Sequence, residues 1–514
     1  VLDKPDYFTD EERAEEQRRA APASKSSKRK SNGARRADAP PIDESNPRPP
    51  IDVDPYDTRG KGSADATVIS LRAPYDTARQ FQDLRSAPPR NHRGGFYEWN
   101  GSSWPDAGED KLRAQIYAFL DGCQSKAKKP EDGFCPVKPN AAMVAGVLDA
   151  LRAAAHLDAT IEPPAWLDGA VGPPAHEIVA CANGLLHLPT LKLLPHISAF
   201  FNLNALDYAY DPAAPPPKQW LDFLDQIWPD DPESIATLQQ IFGYQLTSDT
   251  SQQKSFLYIG PKRSGKGTIA RVLARLVGPH NFAAPTLASL SERFGLAPLI
   301  GKSLAIISDA RLSGRADQQV IVERLLSITG EDGQTIDRKY NPTPWTGKLP
   351  TRFNILAKLG DSSGALASRF IMLLMTRSFY GREDRGLTDK LLKELPGILN
   401  WAIAGWSTLK RVGHFKQPAS AQQAMQQLED LSSPVGAFVR EHCQVGAAFN
   451  CNVGDVFTAW VQWCTAQRRD HPGTVQAFGR DLGAAVPGLT VVQRGPRGEQ
   501  VRLYQGLGLK QEEQ

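Results

Sequence analysis

No stretch of about 18 apolar residues runs anywhere in this chain, which excludes a membrane-spanning helix. The opening VLDKPDYFTDEERAEEQRRA lacks the apolar core of a secretory signal, so a cytoplasmic protein is expected. Val1 in place of Met is what a fragment or a processed product would show. Cysteine is sparse, with six in 514 residues (Cys123, Cys135, Cys181, Cys443, Cys451 and Cys464). None forms a C-x-x-C pair, so zinc-ribbon spacing is absent and the thiols read as reduced and mostly buried. Charge of one sign is also lacking. A net +3 permits nucleic-acid binding without arguing for it. What is present is ordinary for a globular protein, 41% hydrophobic and 23% charged residues, in a chain long enough for two or three cores.

Residues 1–75 are rich in Lys, Arg, Ser, Pro and Ala, including KSSKRKSNGARR from Lys25 to Arg36. Such a segment buries too little apolar surface to offset its ordering entropy and is expected to be disordered. Its basic run suits either a solvated linker or a non-specific DNA tether. A first globular region spans 92–234. KLRAQIYAFLDGC and AAMVAGVLDALRAAA have helical spacing, and HEIVACANGLLHL is strand-like. Trp220, Phe223, Leu224 and Trp228 share a helical face, read as core. Over 235–412, apolar runs (SFLYIG, SLAIISDA, RFNIL, FIMLLM) alternate with helical segments, as in an α/β sheet covered by helices. Residues 417–430 read as a polar linker helix. The last region, 433–509, has three helix-like runs and ends in TVVQRGPRGEQVRLYQGL, a hairpin around Gly-Pro-Arg-Gly, which suggests a winged helix.

The strongest chemical signal is a strand running into Gly260-Pro261-Lys262-Arg263-Ser264-Gly265-Lys266-Gly267-Thr268 and then a helix. This is a P-loop in the context it needs: glycines let the backbone wrap phosphates, and the helix N-terminus stabilises their charge. Lys266 would reach the β- and γ-phosphates. The position after the lysine is Gly267, so Thr268 must supply the hydroxyl for Mg²⁺, as in adenylate-kinase-type loops ending GKGT. An acidic partner on a neighbouring strand is then required, and Asp309 follows the apolar run Leu304–Ile307. A second, paired acid is absent. Glu323, Glu331 and Asp332 lie nearby but suit helix or turn roles.

GPKRSGKGT, SLSERFGLAPLIGKSLAIISDARL, LLSITGEDGQTIDRKY, GKLPTRFNIL and DSSGALASRFIMLLMTRSFYGRED occur in this order. In order and spacing the chain from about 92 to 509 resembles the phage and plasmid primase-helicases, a branch of the superfamily 3 helicases that includes poxvirus-type proteins. The resemblance implies an α/β, AAA+-like P-loop motor between an N-terminal, mainly helical module and a C-terminal winged helix. It implies a homo-hexameric ring that hydrolyses ATP with Mg²⁺ and translocates on single-stranded DNA, with primase and origin partners. Arg369 matches the family arginine that reaches a neighbouring subunit's γ-phosphate, although an arginine at a strand start can be structural. Arg377 is an alternative. The family's pore hairpin corresponds to Thr335–Tyr340 and the segment through Arg352, making Arg338, Lys339 and Lys348 candidates for phosphate contact; a solvated charged hairpin is the alternative. Arg494, Arg497 and Arg502 on the terminal hairpin suit DNA contact, protein docking or plain surface charge.

One departure bears on turnover. The family carries a sensor Asn between its sensor strand and the Asp-Ser-Ser-Gly loop, and this chain is shorter there, with Asn354 inside the apolar strand. Without that side chain ATP could be bound yet turned over slowly, leaving a nucleotide-dependent DNA-binding or loading protein. A small-molecule kinase would explain the loop but not Arg369, the hairpin or the tail. Ahead of residue 92 no catalytic carboxylate set for primer synthesis is found.

Overall fold

The computed structural model describes residues 67–127, 133–308, 318–339, 343–357, 368–469, 471–494, 496 and 500–510. Order begins earlier than expected. Val68–Ile69 already pairs in parallel with Gln124–Ser125, and helix α1 (Pro74–Asp83) starts at a proline suited to a first helical turn. The disorder expected over 1–75 therefore does not reach its last residues, and 1–66 lie outside the described residues. α1 packs with α2 (Glu109–Asp121) and α3 (Ala141–Ala154). The spacing of Leu112, Ile116 and Leu120 gives α2 one buried face, against Phe81 of α1 and Val144, Leu148 and Leu151 of α3. Asn140 caps α3 by accepting from the Met143 amide at 3.0 Å. Between the helices run strands of two to four residues, so this module is mixed rather than mainly helical. Its longest meander is β1 (Ile178–Cys181), β2 (Gly184–His187) and β3 (Lys192–Leu194).

Helices α4 (Lys218–Ile227) and α5 (Pro232–Gln245) correct the boundary expected at 234/235, which would cut α5 near its start. Trp220, Phe223, Leu224 and Trp228 are buried, as their spacing implied. They share one core with Leu238, Ile241 and Phe242 of α5, with the central sheet, and with the much later helix α8 (Leu395–Val412). The same core takes in Val179, Cys181, Leu186, Leu188, Leu206 and Tyr210 of the first module, so the two helices bridge that module and the central sheet.

The central sheet is five parallel strands in the order β5–β6–β9–β4–β10. In chain order these are β4 (Ser255–Ile259), β5 (Phe282–Ala283), β6 (Leu304–Ile307), β9 (Arg352–Ala357) and β10 (Phe370–Leu374). Helix α6 (Lys266–Leu276) follows β4. Helix α7 (Gln318–Thr329) and the antiparallel hairpin β7 (Gln334–Ile336) and β8 (Trp345–Gly347) separate β6 from β9. Period-two alternation sends Phe256, Tyr258, Leu304 and Ile306 to one face, against α6 and α8 (Leu395–Val412). Leu257, Ile259, Ala305, Ile307, Phe353 and Ile355 go to the other, against α7. Strands buried on both faces read as continuous apolar runs, which is why the four longer ones were visible in the sequence.

The segment read as a polar linker is a cover for the sheet's edge. Ala421 and Met425 of α9 (Ala419–Ser432) are buried in the core on the second face. Gln417, just before it, accepts from the Met372 amide at 3.0 Å and donates to the Met372 carbonyl at 2.8 Å. One side-chain amide so imitates a neighbouring strand along β10, the edge strand. The last region holds α10 (Pro434–His442), α11 (Val453–Ala466) and α12 (Val475–Ala485) around Phe438, Trp460, Trp463 and Phe478. Its sheet has the order β11 (Cys443–Asn452), β13 (Val501–Leu509), β12 (Thr490–Arg494). β12 and β13 are the expected hairpin; β11 is an added strand that the sequence reading lacked.

Candidate nucleotide-binding site

Parallel strands place their C-terminal ends along one edge, where loops form ligand crevices. The segment Gly260–Thr268 leaves β4 at that edge and turns into α6. Two positive φ angles make the turn, Arg263 at 58° and Gly265 at 95°. The second is a left-handed conformation that glycine adopts without strain. Gly265 is also the N-cap of α6, so Lys266 begins the helix. The Lys266 ammonium folds back over the turn and donates to the carbonyls of Gly260 (2.6 Å) and Pro261 (2.8 Å) and to Ser264 Oγ (3.1 Å). Ser264 is buried and donates to Met375 Sδ at 3.6 Å.

A cavity of about 670 Å³ opens beside the turn. Its described lining carries Lys262, Arg263, Lys266 and Arg271 and no carboxylate, with Ser264, Thr268 and Ser308 as hydroxyls. That donor set suits a polyanion. Ser308, at the end of β6, brings the strand that leads to Asp309 to the same cavity; Asp309 itself lies outside the described residues. Glu323 and Asp332 are exposed, and Glu331 accepts from the Thr250 hydroxyl; none of the three lines the cavity.

Arg369 stands apart from its own loop. Ser255 pairs with Phe370 and Ile259 with Leu374, so Arg369 lies at the N-terminal end of β10. A strand's length, roughly 17 Å, separates it from Gly260. Half-buried there, it donates to Gln253 Oε1 at 2.5 Å. Arg377 lies beyond the opposite end of β10, where Ser378 Oγ donates to the Lys262 carbonyl at 2.8 Å and the Phe379 amide to the Arg263 carbonyl at 2.9 Å. Arg377 is therefore on the loop's own side.

Asn354 is buried in mid-strand and accepts from Tyr258 Oη at 3.1 Å. Burial holds the Tyr258 hydroxyl far above its usual range, so it remains a neutral donor. Asn354 is occupied inside the sheet and does not line the cavity. The segment 358–367, where a sensor residue would follow, lies outside the described residues.

On the hairpin, Lys339 and Lys348 are exposed, while Arg338 turns onto the N-terminal module. Its Nη2 donates to the Arg93 carbonyl (3.4 Å) and to Thr343 (3.3 Å). Arg93 lies 5.4 Å over the Trp345 ring and pairs with Glu162. This anchorage joins residues far apart in the chain and no local pattern announces it. Arg494 and Arg502 are exposed on adjacent strands of the tail; Arg497 lies outside the described residues.

The fold is mixed α/β, with a phosphate-type loop on a parallel sheet. In the module before that sheet, residues 90–229 match the family model described as D5 N terminal like. Residues 258–358 match that of a family of unknown function, DUF5906. The D5 N-terminal-like match supports the resemblance to phage primase-helicases. Among solved structures the chain is similar to the A form apo structure of the NrS-1 C-terminal region, at 12% identity over 60% of this chain and 80% of that one, with a TM-score of 0.40. Two further NrS-1 C-terminal region structures (305–718) give 14% identity over 60% and 80% with a TM-score of 0.37, and 12% over 63% and 91% with 0.36. No curated protein matches. No helix among the described residues is long and apolar enough to cross a membrane.

Proposed function

We propose that this chain is the ATP-driven motor of a phage or plasmid replication system, acting as a ring on single-stranded DNA. The observation that carries the reading is the cavity at the end of β4, in which every charged residue of the described lining is a cation, with Lys266 and Thr268 on the first turn of α6. Bound ATP·Mg²⁺ would supply a phosphoryl group for transfer to water. Lys266 would exchange its loop carbonyls for phosphate oxygens, and Thr268 with Asp309 would hold the metal. Arg369, a strand's length from its own loop, is suited to serve a neighbour's site, which couples turnover to assembly. Lys339 and Lys348 would face DNA phosphates, Arg338 less so. In this reading 235–412, extended back to the start of α5 at Pro232, is an AAA+-like motor, and 433–509 is a winged helix whose Arg494 and Arg502 add backbone contacts.

ATP turnover with and without single-stranded DNA tests this. The intact chain is expected to show DNA-stimulated hydrolysis and Lys266→Ala none. Mixing Lys266→Ala with Arg369→Ala subunits is expected to restore part of the activity, since each mixed interface can pair an intact loop with an intact arginine. A failure of mixing alone would remove Arg369 from the site. A second reading, a nucleotide-binding DNA loader without turnover, is favoured by the engagement of Asn354 with Tyr258; ATP binding without hydrolysis in the intact chain would select it.

A further inference from the structure

Gly267 stands directly after the loop lysine, and in the structure a guanidinium uses the room it leaves. A Cβ built on Gly267 would lie 3.3 Å from Arg271 Nη1, a tight contact. Arg271 is four residues after Gly267 and three after Thr268, and helical side chains lean toward the N-terminus, so it reaches back over the first turn of α6. There Nη2 donates to Thr268 Oγ1 at 3.2 Å, while Nε donates to Thr388 Oγ1 at 3.2 Å. Thr388 belongs to the short helix Leu387–Leu392. The chain leading to that helix is tied to the phosphate turn by Ser378, by the Phe379 amide and by a 3.3 Å pair between Arg263 and Glu383. The guanidinium is thus held at its Nε end by a segment that is itself fastened to the loop, with its two Nη groups beside the cavity.

We propose that Arg271 is a second phosphate-binding cation of the loop's own subunit, seated by Gly267 and oriented by Thr388. The proposal rests on the nucleotide-binding reading of this cavity. A guanidinium one hydrogen bond from the metal-binding hydroxyl is within reach of a phosphate oxygen bound there. When Thr268 turns to the metal, the Nη donors transfer to that oxygen, and Nε stays on Thr388. A planar donor fork fits a non-bridging pair of oxygens, and charged bonds of this kind are stronger than neutral ones. Part of the affinity for a triphosphate then survives without Mg²⁺, because one of the neutralising charges is covalently part of the protein.

The experiment is titration of a fluorescent ATP analogue, with Mg²⁺ and with EDTA, into the full chain and its Lys266→Ala, Arg271→Gln, Arg271→Lys, Thr388→Val and Gly267→Ser variants. Arg271→Gln is expected to weaken binding about tenfold with Mg²⁺ and to abolish the residual binding in EDTA. Arg271→Lys should recover part of the loss, and Thr388→Val should cost a few-fold. Gly267→Ser, which displaces the guanidinium, should weaken binding in the wild-type background and add little to Arg271→Gln. Arg271 is exposed, so folding is expected to be unaffected, which a thermal melt checks. If Lys266→Ala abolishes binding and Arg271→Gln matches the intact chain in both buffers, the assignment of Arg271 is wrong and the nucleotide site stands. If the intact chain binds no nucleotide, both fall.

Discussion

Arg352 opens β9 with only 2% of its surface exposed, and no carboxylate hydrogen-bonds to it. Its guanidinium donates to Gln245 Oε1 (3.1 Å), the Gln245 carbonyl (3.3 Å) and the Asp249 carbonyl (2.9 Å), and lies 5.2 Å over the Tyr244 ring. Burial lowers its pKa from the usual value, yet a guanidinium stays charged at any pH the fold survives. Arg352→Met sets two effects against each other. Removing the charge relieves a desolvation penalty of several kcal/mol. Two buried acceptors on Gln245 at the end of α5 and a half-buried one on Asp249 then lose their donor, each at about 1–3 kcal/mol, and the ring contact is lost as well. The acceptors outweigh the relief, so a net loss of about 3 kcal/mol is expected. In a domain of this size that lowers the melting temperature by roughly 6–12 °C. Urea unfolding followed by tryptophan fluorescence reads it, since Trp220, Trp228 and Trp406 share the core that α5 packs into. A variant as stable as the parent would refute the reasoning, because it would mean that bonds to the guanidinium do no more than offset its burial.

Gln417→Ala removes the amide that imitates a strand along Met372 and is expected to cost about 1–2 kcal/mol. Hydrogen exchange at the Met372 amide should accelerate more than at the interior strand β4; unchanged protection there would show that the edge is sealed by something else. Asp231 caps α5 through the Ser234 amide (3.0 Å) and also accepts from the hydroxyls of Ser234 (2.6 Å) and Ser420 (2.5 Å), tying α5 to α9. Burial alone would raise its pKa, but these hydrogen bonds prevail and hold it below the ordinary 3.8. A depressed carboxylate contributes stability that is present above the ordinary value and lost as pH falls through the lower one. Asp231→Ala should therefore cost about 1 kcal/mol at neutral pH and flatten the acid limb below pH 3.8; an unchanged acid limb would count against it.

The central region was the most legible part, for a physical reason. Runs such as Leu304–Ile307 are buried on both faces, and the glycine turn that ends at Gly265 and opens the helix at Lys266 is set by local sequence alone. Elements with weak local signals were misread. Among the described side chains of α9 the buried ones are Ala421 and Met425, set among four glutamines, so it looked like a linker. β11 is largely exposed and carries no clean alternation, so Cys443–Asn452 did not stand out as a strand. The boundary expected at 234/235 falls in the first turn of α5, because α4 and α5 pack on both the first module and α8, and an amphipathic face does not say which surfaces will cover it. Arg338 looked like the other hairpin cations because sequence cannot show that Arg93 waits beneath it. Arg271 was passed over for a similar reason: an arginine inside a helix is unremarkable until the space above Gly267 is seen.

The six residues of β9 also form a pushrod. At one end Leu356 and Ala357 touch the cationic cavity; at the other, Arg352 follows the hairpin after only the connector Lys348–Thr351. A pleated strand flanked on both sides by hydrogen-bonded neighbours barely changes length, so a shift at Ala357 must reappear at Arg352 almost undiminished. The hairpin and the cavity thus share a single strand, held by hydrogen bonds to β6 and β4 on either side. The load at its hairpin end matters equally. Because Arg93 and Arg338 bolt the hairpin's base to the first module, any displacement of the hairpin would either carry the module with it or break that bolt, and the mass to be moved is far larger than a hairpin.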